Sequence, residues 1–325
     1  MGLREYTIRR SVQSVITLVV VLSLNFFVFH AMPGNPYEVL KLSNYRNTQV
    51  VQRLTEKWGL NKPLWEQFLL YWFNLLKLDF GQSIVISMGT PVTSMIAKRL
   101  LNSIILLGAA TTVSSLIGIT IGVYIASKHG HWQDRLTTTI SLIFYSMPLY
   151  WLGLILILIF SVWLRWFPMG NTISAPAPKD PLLYALDYMW HMVLPLITLT
   201  ILSFGSYVYL MRQILLEVFT SDYMITARAK GLDEKTILFK HAMRNALLPL
   251  ITVLALSYAG VVSGAVLTET VFSWYGVGRL LFDAVLRQDF PVLEFSFLII
   301  SIVTILANFI ADILYGFLDP RVRYG

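Results

Sequence analysis

DYMITARAKGLDEKTILFKHAMRNALLP, residues Asp222–Pro249, is the longest polar interruption between the apolar segments of the second half of the chain. It concentrates Arg228, Lys230, Lys235, Lys240 and Arg244 with Asp222, Asp233 and Glu234. The pattern predicts two short helices. The first runs from about Tyr223 to Lys230 and stops at Gly231, which can take the left-handed conformation that closes a helix. The second starts near Asp233, with Asp233 and Glu234 at the positive end of its dipole and Lys240 and Arg244 toward the other end. A helix–glycine–helix loop between two membrane spans is a shape that a cytoplasmic partner can grip.

The flanks of this loop decide the class. The chain has 325 residues, is 56% hydrophobic and only 13% charged, and has a mean hydropathy of +0.65. No water-soluble domain needs so much apolar surface, so the composition is that of a polytopic membrane protein. The net charge of +7 invites a nucleic-acid partner, but its distribution fits membrane orientation instead. There is no cysteine, hence no disulfide framework and no thiolate metal site. His129 and His131 lie close together without further ligands and read as polar loop residues.

Behind a basic head with Arg4, Arg9 and Arg10, residues Ser11 to Met32 are apolar for about the 20 residues that cross a bilayer. That run exceeds a signal-peptide core, and Phe29-His30-Ala31 is no small-x-small cleavage site, so it reads as an uncleaved first span. Residues 33–99 form an extracytoplasmic segment. In it Val50, Val51, Leu54 and Trp58 share a helical face that Gly59 ends. Pro63 then opens a second helix with Trp65, Phe68, Leu69, Trp72, Phe73 and Leu76 at helical spacing. It is too short to span and carries Glu66, Asn74 and Lys77, which predicts an aromatic amphipathic helix at the membrane surface.

Residues 100–325 form a five-helix core with a cytoplasmic loop at 212–245. Its spans are expected at about Leu100–Ser127, Leu136–Leu164 with Pro148 inside, His191–Met211, Ala246–Thr268 and Val292–Leu318. Gly108, Thr111, Ser115, Gly118 and Gly122 make a small-residue stripe for helix packing or for lining a pore. A Pro-rich external loop is expected from Arg165 to Trp190. Lys and Arg set the orientation. The head, Lys128 and Arg135, residues 212–245, and Arg321 with Arg323 carry thirteen on one side. Arg165, Lys179, Arg279 and Arg287 make four on the other. The bias puts the 212–245 loop and both termini in the cytoplasm.

Thr226-Ala-Arg-Ala-Lys-Gly231, followed by Lys240-His-Ala-Met-Arg-Asn-Ala-Leu-Leu-Pro249, resembles the coupling-loop signature of membrane-spanning permease subunits of ATP-binding-cassette importers. The match is to the B-type subunit of the dipeptide/oligopeptide branch, which also includes nickel systems. An acidic first residue is missing and the Gly231–Pro249 gap is long; both are usual in that branch. A second signature is Thr268-Glu-Thr-Val-Phe-Ser-Trp-Tyr-Gly-Val-Gly278, continued by Arg287-Gln-Asp-Phe-Pro291. Here Tyr275 stands where Pro is usual, and Gln288 separates Arg287 from Asp289. The resemblance implies an all-α, six-span permease of type I fold. Ala227, Arg228, Ala229, Lys230, Gly231 and Asp233 would belong to the segment that a partner ATPase receives. Glu269, Trp274, Gly276 and Gly278 would form an outer turn, either structural or part of an external gate.

It also implies the partners: a homologous second permease, two ATPase subunits that bind ATP and Mg, an extracytoplasmic solute-binding protein and the lipid bilayer, with no nucleic acid. No Gly-x4-Gly-Lys-[Ser/Thr] occurs in the chain, so it has no phosphate cradle and no catalytic, cofactor or metal site of its own. No acidic, His or Lys site is conspicuous at mid-membrane, unlike in ion-coupled transporters. Asn102, Ser103, Ser146, Ser203, Ser257 and Tyr258 are therefore the candidates for a weakly polar translocation path. Peptides are the expected substrate. Oligosaccharides or nickel on the same architecture are the alternative, and a self-sufficient secondary transporter or channel is the rival of a different class.

Overall fold

The computed structural model describes residues 3–31, 59, 61–261 and 264–318. Apart from one isolated bridge between Gln82 and Pro91, the regular structure among these residues is helical. In chain order it comprises α1 (Leu3–Ala31), α2 (Leu64–Leu76), α3 (Val92–Ser127) and α4 (Trp132–Tyr145). Then come α5 (Leu149–Leu156), prolonged by π-helical turns over Ile157–Trp163, and α6 (Pro181–Phe219). The loop helices α7 (Asp222–Ala229) and α8 (Glu234–Thr236) follow, and α8 passes through a π-helical stretch (Ile237–Ala242) into α9 (Met243–Gly260). Last are α10 (Val266–Val271), α11 (Val277–Arg287) and α12 (Phe290–Leu318). Among the described residues four helices are long and apolar enough to cross a membrane, or up to six if each of two bent pairs is one span.

The centre of the bundle is the pairing of α3 with α6, the most extensive helix–helix contact among the described elements. Two glycines explain how closely they lie. A Cβ at Gly118 would sit 2.5 Å from the Tyr207 Cβ and 2.6 Å from the Phe204 carbonyl oxygen. One at Gly122 would sit 2.7 Å from the Met211 Cβ. Gly205, on α6, meets the Ser141 backbone of α4 in the same way, at 2.5 Å. Between membrane helices, where lipid is as apolar as leucine, such backbone approach supplies the packing that holds helices together. Gly108 does not belong with these glycines: a Cβ there meets nothing within 4 Å.

Several expected boundaries move. The second span begins at Val92 instead of Leu100 and the fourth at Pro181 instead of His191. At 36 and 39 residues these helices are roughly 55 Å long at 1.5 Å per residue, well beyond a hydrocarbon core of about 30 Å. The apolar count therefore missed the start of α3, though not its end at Ser127, and found only the middle of α6. The start of α6 is nevertheless a sequence signal: Pro181 takes the first turn and the Asp180 carboxylate accepts from the N–H of Leu182 (2.9 Å) and Leu183 (3.0 Å). The last ten residues of the expected Pro-rich loop, Pro181–Trp190, are thus helix. The third span is broken by 94° between α4 and α5. Pro148, with extended backbone (ψ 128°), starts the second limb, and the residue before a proline is kept out of helix geometry. The fifth span stops at Gly260, so Glu269 lies on the separate short helix α10.

The aromatic helix after Pro63 is present as α2. The face drawn from Val50, Val51, Leu54 and Trp58 and the tail beyond Leu318 lie outside the described residues. One consequence of the α3–α6 contact is a contrast between glycines. Gly118→Ala should lower the melting temperature of the purified protein by an amount equivalent to about 1–3 kcal/mol, because the helices must separate. Gly108→Ala should leave it unchanged or raise it, since alanine is the better helix former and has room there.

Candidate functional site

The polar loop is built as a small clamp. On α7, Met224 and Ala227 point inward, three residues apart on one face. They join Met211 and Leu215 of α6, Ile237 and Ala242 of the π-helical stretch, and Ala246 and Leu250 of α9 in one buried cluster. Ala227 is therefore small because it packs against its own chain; its side chain is not offered to a partner. Gly231 ends α7 as its sequence implied, at φ +74°, with its N–H donating to the Arg228 carbonyl at 2.9 Å. A Cβ there would touch nothing, so the requirement for glycine is conformational.

Asp233 caps α8, accepting the Thr236 N–H at 3.2 Å. The Thr236 hydroxyl and N–H together hold the Asp233 carboxyl below its usual range. Tyr223 receives a hydrogen bond from Asn245 at 2.8 Å, which ties α7 to the base of α9.

The outward face carries Ile225, Arg228, Ala229, Lys230, Gly231 and Asp233, all exposed. Arg228 leans on its own Glu234 at 3.6 Å, with both side chains largely in solvent, so the pair adds little to stability. Ile225 (59%), Leu232 (37%) and Phe239 (64%) are exposed apolar side chains in a loop otherwise rich in charge.

Beside this clamp lies a pair that the sequence reading did not single out. Asp134, almost wholly buried in the first turn of α4, holds Arg212 of α6 through two bonds: Nε–Oδ1 at 2.6 Å and Nη2–Oδ2 at 2.8 Å. His129 Nδ1 is 3.2 Å from both Asp134 Oδ2 and the Arg212 guanidinium, and the Gly130 N–H donates to Asp134. His129 is thus more than a polar loop residue. The signal that was available is an acidic side chain in a first helical turn just after Gly130.

At the other end of α3 the structure brings all four outer-turn candidates together. Glu269 is fully buried. Its Oε1 accepts from the Ser103 hydroxyl (2.7 Å) and the Ala265 N–H (3.2 Å), and its Oε2 from the Arg279 N–H (2.9 Å). A Cβ at Gly276 would fall on that carboxylate, and one at Gly278 would lie 3.0 Å from its Oε2. The glycines are there to let the backbone reach the acid. Trp274 is buried against Tyr188 and donates to the Asn102 carbonyl at 3.2 Å. Asn102 also donates to the Tyr275 carbonyl at 2.8 Å and accepts from Tyr188. Ser103 accepts the Val277 N–H at 2.8 Å.

Asn102 and Ser103, expected on a translocation path, are therefore occupied in holding this turn. The two departures from the family pattern also find a place. The Tyr275 ring receives the buried Arg99 guanidinium at 4.3 Å. Gln288, at φ +54°, closes α11 so that Asp289 can begin α12. Asp289 in turn accepts the Ser83 hydroxyl (2.6 Å) and the N–H groups of Ile84, Val85 and Ile86.

The remaining path candidates are scattered. Tyr258 shares a hydrogen bond with Thr112 at 2.7 Å, while Ser146 and Ser257 bond back to their own helices. Ser203 is half-buried. Ser146 faces an open groove of about 620 Å³ inside the α4–α5 bend, lined also by Thr139, Leu142, Pro148 and Trp151. Among the described residues no group of three or more His, Cys, Asp or Glu could hold a metal ion.

Two substitutions test these constellations. Asp134→Asn leaves Arg212 without its anion and should cost about 3 kcal/mol, read as a lower unfolding midpoint of the purified protein. Glu269→Gln puts an amide donor where only donors point, and should cost about 1–3 kcal/mol. Protease cleavage within residues 264–279, slow in the parent protein, should become fast.

Comparison with known proteins gives the family. Residues 118–324 match the model of the binding-protein-dependent transport system inner membrane component, and residues 3–114 match its N-terminal counterpart. The oligopeptide transport system permease protein of Bacillus subtilis is 36% identical over 98% of this chain and 99% of its own length. The di/tripeptide transport system permease protein of Pseudomonas aeruginosa is 38% identical over 93% of each. In fold, the chain is similar to an inward-facing structure of the MetNI methionine ABC transporter, with a TM-score of 0.57 at 16% identity over 71% of this chain and all of that one. With the helical bundle, the clamp and the outer turn in place, these matches make the chain a member of the family of inner-membrane permease components of binding-protein-dependent ABC transport systems.

Proposed function

We propose that this chain is half of the translocation path of an ATP-driven importer of peptides. It crosses the membrane six times with both termini in the cytoplasm. It pairs with a second permease and takes solute from an extracytoplasmic binding protein, and its α7–α8 loop receives the movement of partner subunits that bind ATP and Mg. The peptide substrate is supported by the relatives named for oligopeptides and di/tripeptides, which match over nearly the whole chain. The orientation is supported by the thirteen-to-four distribution of Lys and Arg.

One observation carries the coupling role: α7 has a buried face clamped to α6 and α9, and an exposed face bearing Ile225, Arg228 and Ala229. A force applied to that face moves α6 and α9 directly, because Met224 and Ala227 have no slack. Among the described residues the Arg228 side chain makes only exposed contacts, with Glu234 at 3.6 Å and over the Phe219 ring at 5.9 Å, which add little to stability.

Reconstitution in liposomes with the cognate ATPases tests the proposal. Ile225→Glu and Arg228→Glu should each weaken ATPase binding by roughly 1–2 kcal/mol, as loss of an interface anchor does. Solute-stimulated ATP hydrolysis and peptide uptake should fall together while the unfolding midpoint stays put. Normal uptake with both substitutions present, or uptake by the chain without any ATPase, would sink it.

A further inference from the structure

The 13-residue helix α2 is apolar on the side that should face water. Its inner face, Phe68, Tyr71, Trp72 and Leu75, packs on a cluster built from α1, α11 and α12. Its outer face presents Leu64, Trp65, Leu69, Phe73 and Leu76, each at least half exposed. The polar residues between the two ends are the less exposed ones: Glu66, Gln67 and Asn74 are all half-buried. Glu66 pairs with Lys62 at 3.5 Å, and Gln67 bridges the His30 ring (3.0 Å) and the Lys62 carbonyl (2.8 Å). This inverts the polarity of a water-facing helix. A helix with apolar residues on both its inner and its outer face belongs in a core or in a membrane.

Its depth agrees. The Tyr71 hydroxyl donates to the Leu22 carbonyl at 3.2 Å, nine residues before α1 ends at Ala31, which is about 13 Å down the helix axis. Phe68 stacks on Phe27 at 5.4 Å. At that level α1 itself exposes Val19, Val20, Leu24, Phe27 and Val28, so the surface of α2 continues the apolar belt of a spanning helix. Tyr71 also stacks on Phe295, in the second turn of α12. At its far end Lys77 folds back over the Phe73 ring at 4.0 Å, as a cation does where an apolar stripe meets the headgroups.

We propose that α2 is a half-membrane helix: it is seated within one leaflet, and acyl chains of that leaflet cover the Trp65, Leu69, Phe73 and Leu76 stripe. It braces α1 against α12 from the lipid side, and its outer face is not a docking site for the solute-binding protein.

The absence of cysteine from the chain permits a clean test. Trp65→Cys, Leu69→Cys and Phe73→Cys are made singly, nitroxide-labelled, and studied in the assembled transporter in lipid nanodiscs, with Lys62→Cys and Lys77→Cys as controls. Collision with oxygen should exceed collision with a water-soluble nickel chelate several-fold at 65, 69 and 73, and the order should reverse at 62 and 77. Adding the solute-binding protein should change neither. A dominant nickel signal along the stripe would make it a water-facing surface. Access to neither reagent, or loss of access on adding the binding protein, would show that protein covers it. Any of these results overturns the proposal.

Discussion

The backbone approach of α3 and α6 at Gly118 and Gly122 is the contact from which the rest of the bundle takes its positions. With no Cβ in the way, the two longest described helices lie against each other along their middles. The ends of this pair then hold the two candidate sites. Asn102 and Ser103, toward the start of α3, hold the outer turn through Trp274 and Glu269. Met211 and Leu215 of α6, with Ala126 of α3, form the floor on which the α7 clamp sits. A bilayer supplies no hydrophobic drive between helices, so small residues at the crossing do the work that large apolar ones do in a soluble core.

Charge enters this apolar frame at a few helix starts. Asp134 is the third residue of α4, Glu269 the fourth of α10, and Asp289 directly precedes α12. Each is buried, and each accepts at least one backbone N–H as well as a side-chain donor. A carboxylate in such a place lies at the positive end of a helix dipole. In exchange it pins a distant segment: α6 by Asp134, the α10–α11 turn by Glu269, and residues 83–86 by Asp289. Breaking any of these bonds would strand donors away from water, which is why their geometry is complete.

The two families of exposed apolar residues have different meanings. Along α1 and α2 they are continuous and face outward from a bundle already packed on its other side, as a lipid boundary requires. In the α7–α8 loop Ile225, Leu232 and Phe239 are instead dispersed among charges. The groove inside the α4–α5 bend is a third kind, concave and edged by Thr139 and Ser146.

Sequence alone determined that the chain is a polytopic helical membrane protein, because 56% apolar residues in long runs leave no other solution. It also determined the two-helix loop and the left-handed Gly231, since a glycine between two charged helical stretches has one conformational use. The outer turn was legible as a set, Glu269, Trp274, Gly276 and Gly278, because two glycines beside aromatics signal close backbone approach. Only the tertiary structure decided what those residues touch. That Ala227 faces inward, that Asn102 and Ser103 hold the turn, and that Asp134 finds Arg212 all depend on pairings 78 to 174 residues apart, or on which side of a short helix meets the bundle. Hydropathy measures how apolar a segment is and not what lies against it. It therefore missed the start of α3 and both ends of α6, and it saw one span where Pro148 makes a right-angled bend.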